Sequence, residues 1–214
     1  MRTFVRGLLG GLAAFWSASG AYAALQLAGV HVSWETLGAH GWRAAGTALL
    51  IGAVEESAKA AGIVLAVKSR QPREVFRATV AVAVVFGVGE ALLLLDSANW
   101  PIAVSRAALS PVGHAALVLP FAAALAIPAG HGRAWRVSGA LLLAAVLHGA
   151  GDWSLGHGMW GRIGFALSML APVLWLYRQA NREGTWARQE VPVPASARKS
   201  AASPPARATQ PRGA

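Results

Sequence analysis

The chain has no cysteine among its 214 residues, which excludes disulfide bonds, thiolate nucleophiles and cysteine-ligated metal sites. It is also poor in charge: 13% of its residues are charged, against about 25% in a typical soluble domain. Hydrophobic residues make up 55% of the sequence. This balance indicates an integral membrane protein, and the length suits one helical bundle with no room for a second folded domain.

The formal net charge is +10, a value that in a soluble protein would suggest a nucleic-acid partner. Here the basic residues stand at the ends of apolar runs and in the C-terminal segment. Membrane proteins place Lys and Arg at these positions as signals of topology. We therefore expect these basic residues to face the lipid bilayer, and we expect no nucleic-acid partner.

Apolar runs along the chain predict an all-α, polytopic membrane bundle of about six transmembrane helices. The expected spans are about 7–30, 42–67, 75–95, 109–129, 137–155 and 162–177. Residues 96–108 are expected to form an outer loop. Residues 1–178 form the predicted transmembrane domain, and the basic tail 179–214, rich in Pro, Ala and Ser, is expected to be disordered and cytoplasmic.

Lys and Arg alternate between the predicted loops, which by the positive-inside rule places both termini in the cytoplasm. The predicted location is thus the inner (plasma) membrane, with several passes. The first apolar run leaves two alternatives open. Ala21-Tyr22-Ala23 is typical of a signal-peptide cleavage site, whereas the apolar sequence continues beyond it, which favours a retained helix.

The second predicted span contains Glu55, Glu56 and Lys59 between apolar flanks. Insertion of such residues costs roughly 2.5–3.5 kcal/mol each, so charged side chains at this depth usually serve function. Glu55 and Lys59 are four residues apart and share a helix face, while Glu56 points about 100° away. We expect Lys59 to pair with Glu55 and Glu56 to face another part of the bundle. A purely structural ion pair is the alternative.

Two further spans carry buried polar groups: Glu90 in the third, and His148 with Asp152 in the fifth. Counted from the basic inner ends of their helices, Glu55, Glu90 and His148 all lie roughly 18–20 Å deep at about 1.5 Å per residue. Asp152 shares the face of His148 and would orient its imidazole ring. Polar groups at one depth on three helices predict one shared site.

His114 lies in the fourth span, with Pro120 six residues later. The same count places His114 at about 28 Å, nearer the outer surface than the other groups. Pro120 is expected to kink this helix. Phe86, one turn before Glu90, is interpreted as a packing residue.

Three motifs occur in order along the spans: Glu55-Glu56-Ser57-Ala58-Lys59, then Phe86 to Glu90, then His148 to Asp152. This set resembles the PrsW family of intramembrane proteases, which is related to the CPBP group of CAAX and bacteriocin-processing proteases. The pattern there is Glu-Glu-x-x-Lys, Phe-x-x-x-Glu and His-x-x-x-Asp. Gly113-His114-Ala115 also resembles the histidine-alanine stretch that lies between the second and third motifs in such proteins.

The resemblance implies hydrolysis of peptide bonds in a membrane-protein substrate, such as a single-span protein, with glutamates activating water and histidine assisting. The residues it implies for catalysis are Glu55, Glu56, Lys59, Glu90, His148 and Asp152. Two mechanisms stay open. The carboxylates could act directly as bases, or His114, His148 and Glu90 could hold a divalent metal such as zinc. Glu55 is the expected base, because Lys59 would hold it ionised and the wider group uses the first glutamate of the pair.

Two other function classes fit the same residues. Acids and histidines at mid-membrane depth suit the relay of a proton-coupled transporter, although the sequence shows no matched halves. A non-catalytic scaffold or immunity protein could keep the same residues for structure alone. Substitution of Glu55 or Glu56 would distinguish the three classes. A protease would lose cleavage, a transporter would lose flux, and a scaffold would lose only folding.

Overall fold

A computed structural model describes residues 2–32, 41–93, 100–127, 130–155 and 157–183. Over these ranges the chain is helical, with no strand. The helices are α1 (Arg2–Leu27), α2 (Trp42–Ala66), α3 (Pro72–Leu93), α4 (Trp100–Ala126), α5 (Arg133–Leu155) and α6 (Gly158–Glu183). The all-α prediction is confirmed.

Four of these helices contain a stretch that is long and apolar enough to cross a membrane. They are α1, α3, the part of α4 from Leu109 to Ala126, and α5 up to Ser154. Helix α2 has 25 residues, but its two glutamates and its lysine interrupt the apolar sequence. The fold is therefore a helical bundle with candidate membrane-crossing helices, as the composition predicted.

Helix α4 begins at Trp100, so the predicted outer loop 96–108 is wrong from that residue onward. Pro101 stands in the first turn, where a missing backbone N–H breaks no helical hydrogen bond. The helix also continues through Pro111 and Pro120.

The polar loop 31–41 expected between the first two spans lies outside the described ranges over residues 33–40, and the predicted tail lies outside them beyond Glu183. The chain divides into one unit from Met1 to Gln179 and a second from Ala180 to Ala214. Because α6 ends at Glu183, the prediction of disorder is wrong for residues 179–183, and disorder beyond Glu183 stays a prediction.

Glycines allow the helices to approach closely. Helices α1 and α2 meet at Gly10 and Gly62, where a Cβ on Gly10 would lie 2.5 Å from the carbonyl oxygen of Gly62. Helices α2 and α5 meet where a Cβ on Gly149 would lie 2.7 Å from the carbonyl oxygen of Ala48. Small residues at crossings let backbones pack without side chains between them, as in many membrane proteins.

A third crossing joins α3 to α4. A Cβ on Gly87 would lie 2.7 Å from the backbone nitrogen of Pro111. Glu90 follows Gly87 by three residues and His114 follows Pro111 by three, so both lie within about one helical turn of this crossing, and their side chains are in contact. Similarly, Gly149 is adjacent to His148 at the crossing of α5 with α2.

Candidate functional site

Seven ionisable side chains from four helices meet inside the bundle, and we call them the buried ionisable cluster. Six of the seven are buried, and the side chain of Glu90 is 25% exposed. Such residues are almost never fully buried unless they are paired. The members are Glu55, Glu56 and Lys59 of α2, Glu90 of α3, His114 of α4, and His148 and Asp152 of α5.

Lys59 lies at the centre of the cluster, with 0% of its surface exposed. Its Nζ is 2.6 Å from Oε1 of Glu56 and 3.8 Å from Oε2 of Glu55. It also donates a hydrogen bond to Nδ1 of His114, 2.7 Å away, and stands 4.8 Å from the ring centre of Phe86. Lys59 thus lies within ion-pair distance of Glu55, as expected, but its closer partner is Glu56, which the prediction placed elsewhere. Residues three apart on a helix also lie side by side.

His148 lies against both glutamates of α2. Its Nδ1 is 2.7 Å from Oε1 of Glu56, and its Nε2 is 3.4 Å from Oε2 of Glu55. Oδ2 of Asp152 is also 3.4 Å from Nε2, at the predicted i, i+4 spacing. The expectation that Glu56 faces a different region from Glu55 is wrong, since both carboxylates lie beside His148.

His114 joins Glu90 to the rest of the cluster. Because its Nδ1 accepts from Lys59, its Nε2 must carry the hydrogen that it donates to Oε2 of Glu90, 2.5 Å away. The ring centres of His114 and His148 are 5.4 Å apart. Glu90 and His148 thus belong to one site, as their predicted depth indicated.

The depth predicted for His114 is wrong, because the structure places this residue among the groups that were expected one or two turns further in. Counting residues gives depth only for helices that run parallel to one another from level ends. The close approach of Gly87 to Pro111 brings this part of α4 to the level of Glu90. Phe86 packs edge-on against His114 with ring centres 5.2 Å apart, which confirms its interpretation as a packing residue.

Sequence reasoning missed one member of the site. The hydroxyl of Tyr22 on α1 donates a hydrogen bond to Oε1 of Glu55, 2.8 Å away. A signal for it exists in the sequence: the buried residues of α1 include Gly7, Gly11, Ala14 and Ala18, and the next position on this face of small residues is Tyr22. A single large polar side chain on a helix face of small residues indicates that this side chain contacts a polar group of the neighbouring helix.

Two oxygens of the cluster have no hydrogen-bond partner among the described residues: Oε2 of Glu55 and Oε2 of Glu56. Buried carboxylate oxygens nearly always have a partner in proteins, whether a protein donor, a water or an ion. Both atoms therefore retain the capacity to bind a water molecule or a ligand.

Glu55, His114 and His148 could hold a metal ion, since each offers a ligand atom and these atoms lie within 4.8 Å of one another. Three protein ligands plus water is the usual catalytic zinc set, and such an ion would supply a Lewis acid and an activated water. The set differs from the expected one, because Glu55 takes the place of Glu90. Glu90 instead contacts His114. Carboxylates commonly accept a hydrogen bond in this way from the ring nitrogen of a metal-bound histidine that does not ligate the metal.

Lys59 competes with such an ion for a ligand atom. Its ammonium group occupies Nδ1 of His114, while Glu90 occupies the other ring nitrogen. A metal could bind His114 only by displacing one of these two partners. Lys59 already supplies one positive charge beside the carboxylates of Glu55 and Glu56.

Comparison of the chain with models of protein families, with curated proteins and with solved structures finds no match.

Proposed function

We propose that the chain is an intramembrane endopeptidase similar to the PrsW family, which hydrolyses peptide bonds of membrane-protein substrates with water activated by glutamate. The observation that supports this best is the juxtaposition of Glu55, Glu56 and His148 within one apolar bundle. A base, a second carboxylate and a histidine are the parts that acid–base hydrolysis needs.

We further propose that the six helices are six membrane spans with both termini in the cytoplasm of the inner membrane. Helix α2 would cross the bilayer because Lys59 offsets one of its two carboxylates locally. The distribution of Lys and Arg supports this orientation.

In the proposed reaction Glu55 is the base. Oε2 of each glutamate has no hydrogen-bond partner among the described residues. Glu56 is already held by Lys59 and His148 through its Oε1, whereas Oε2 of Glu55 lies next to Nε2 of His148. Glu55 takes a proton from water as the water oxygen bonds to the scissile carbonyl carbon. His148, oriented by Glu56, donates a hydrogen bond from Nε2 to the carbonyl oxygen and keeps its proton. The C–N bond then breaks as Glu55 passes the proton to the leaving nitrogen.

A direct glutamate mechanism is favoured over a metal-dependent one by the position of Lys59. The ammonium group contacts two carboxylates and a histidine. It therefore supplies the charge that a metal ion would otherwise contribute. Lys59 acts here by keeping Glu56 ionised, which in turn holds His148 in place.

The proposal is tested by identifying new protein N-termini in membranes of cells that express the wild type, Glu55→Gln or Glu56→Gln. Cleavage should occur within or beside transmembrane segments. It should fall by roughly 10²–10⁴-fold in Glu55→Gln, because Gln cannot take a proton from water. It should also fall in Glu56→Gln, because His148 loses the carboxylate that orients it. Glu74→Gln is the matched control, since Glu74 accepts its hydrogen bonds from residues 68 and 69 at the start of α3. Equal cleavage by folded wild type and variants would overturn the proposal.

One observation favours a second candidate, a proton-coupled transporter. Glu90, His114, Lys59, Glu56 and His148 form a continuous chain of contacts across four helices, and Glu90 is partly exposed. Such chains carry protons in transporters. Purified protein in liposomes under a pH gradient would then show a flux that Glu90→Gln abolishes, while no membrane protein would be cleaved.

A further inference from the structure

We propose that Tyr22 is a positioning residue for the base Glu55, so that the N-terminal helix α1 is part of the active site. This inference rests on the proposed function. The phenol hydroxyl donates to Oε1 of Glu55 at 2.8 Å, and the other oxygen of the same carboxylate has no hydrogen-bond partner among the described residues.

The bond fixes which oxygen of Glu55 does the chemistry. A carboxylate can rotate and exchange its two oxygens, but a hydrogen bond on Oε1 holds one orientation. In that orientation Oε2 lies 3.4 Å from Nε2 of His148. Tyr22 thereby directs Oε2 of Glu55 towards His148, the residue proposed to contact the substrate carbonyl.

The packing of α1 supports a fixed role rather than a chance contact. Helix α1 meets α2 through Gly10 and Gly62 at backbone contact distance, and the Cβ of Ala14 also packs on Gly62. Ala18, one turn before Tyr22, is buried in the same core. The hydroxyl of Tyr22 is therefore held on a helix whose distance from α2 is set by backbone contacts.

A consequence concerns processing at Ala21-Tyr22-Ala23. Cleavage after Ala23 would remove Tyr22 together with most of α1, and Glu55 would lose its donor. The proposed role of Tyr22 therefore requires that α1 is retained in the active protein.

The hydrogen bond can be measured without any activity assay. The chain has two tyrosines, so Tyr177→Phe leaves Tyr22 as the single tyrosine. In this variant, labelled with ¹³C at the ring carbon that bears the hydroxyl, the Tyr22 NMR signal should shift when Glu55→Ala is added. An unchanged signal would show that the bond does not form.

The positioning role is measured with Tyr22→Phe, which keeps the ring and removes only the hydroxyl. We expect kcat for the cleavage found in expressing membranes to fall about 10- to 100-fold, the range for a hydrogen bond to a charged group, with KM unchanged. Tyr177→Phe is the control and should keep the wild-type rate. If Tyr22→Phe lowers the unfolding temperature and kcat together, or leaves kcat unchanged, then Tyr22 is only a packing residue. Either result would overturn the positioning role.

An N-terminal epitope tag tests retention of α1. The tag should stay on the active membrane protein, and full activity after its loss by cleavage at Ala23 would overturn the proposal. Failure of the endopeptidase function itself gives a different pattern: the NMR signal still shifts, but the wild type produces no cleavage.

Discussion

Glu56 and His148 are 92 positions apart in the chain, and their side chains approach to 2.7 Å. Both are buried, so neither can exchange this partner for bulk water. The contact exists because α2 and α5 cross at Gly52 and Gly149 with no side chain between their backbones. Geometry of the site therefore depends on residues that have no chemistry of their own.

Gly149→Ala should separate α2 from α5. Its new Cβ would lie 2.7 Å from the carbonyl oxygen of Ala48, and overpacking of this kind costs about 1–3 kcal/mol. We expect a lower midpoint of thermal unfolding, followed by tryptophan fluorescence in detergent, and loss of cleavage. Gly139→Ala on the same helix is the control, because a Cβ there meets nothing within 4 Å. That variant should be as stable as the wild type or about 0.5–1 kcal/mol more stable. Equal behaviour of the two variants would contradict the crossing argument.

Lys59→Met should destabilise the fold by about 3–5 kcal/mol, because it leaves buried carboxylates without their cation. Adding Glu56→Gln should recover part of this loss, since the second change removes the charge that Lys59 neutralises. A coupling free energy of about 0.5–3 kcal/mol is expected from a double-mutant cycle measured by unfolding in detergent. Lys68→Met, at an exposed position, should change stability little. Simple additivity of the two buried changes would refute the pairing.

Removal of zinc should leave cleavage unchanged if Lys59 supplies the charge in the site. Purified protein would be treated with 1,10-phenanthroline and its metal content measured by mass spectrometry. Glu55, His114 and His148 are the alternative ligands. Three results together would favour the metal-dependent mechanism instead. The wild type would bind one zinc per chain, chelation would abolish an activity that added zinc restores, and His148→Gln would abolish zinc binding.

Topology is checked by reporter fusions. Fusions after Arg70, after Arg133 and in the tail should report cytoplasm, while one near Trp100 should report the outer side. A fusion at Arg133 that reports the outer side would mean that α3 and α5 do not run in the same direction, which is the basis of the depth comparison between Glu90 and His148.

Much of the bundle follows from the sequence because apolar length and charge spacing are local properties. Ionisable groups are costly in apolar helices, which marks Glu55, Glu56, Lys59 and His148 as candidates, and the structure brings them together. Their partners were harder to predict. The choice of Lys59 between two carboxylates depends on differences of about 1 Å, which helical spacing does not resolve.

His114 and Tyr22 show where sequence reasoning reaches its limit. The level of His114 depends on how α4 approaches α3, a property of Gly87 and Pro111 together rather than of either helix alone. Tyr22 contacts Glu55 only because α1 packs on α2. Contacts between helices are set by backbone distances that no single segment encodes.

The local contact of Lys59 with Glu56 bears on how the protein is made. Glu56 leaves the ribosome 92 residues before His148, which at about 5–20 residues per second is a delay of roughly 5–20 s. During that interval Glu56 has no histidine to bind, yet Lys59 is already present three residues along the same helix. The lysine can thus lower the cost of inserting α2 before the rest of the site has been synthesised, in addition to holding the finished site together.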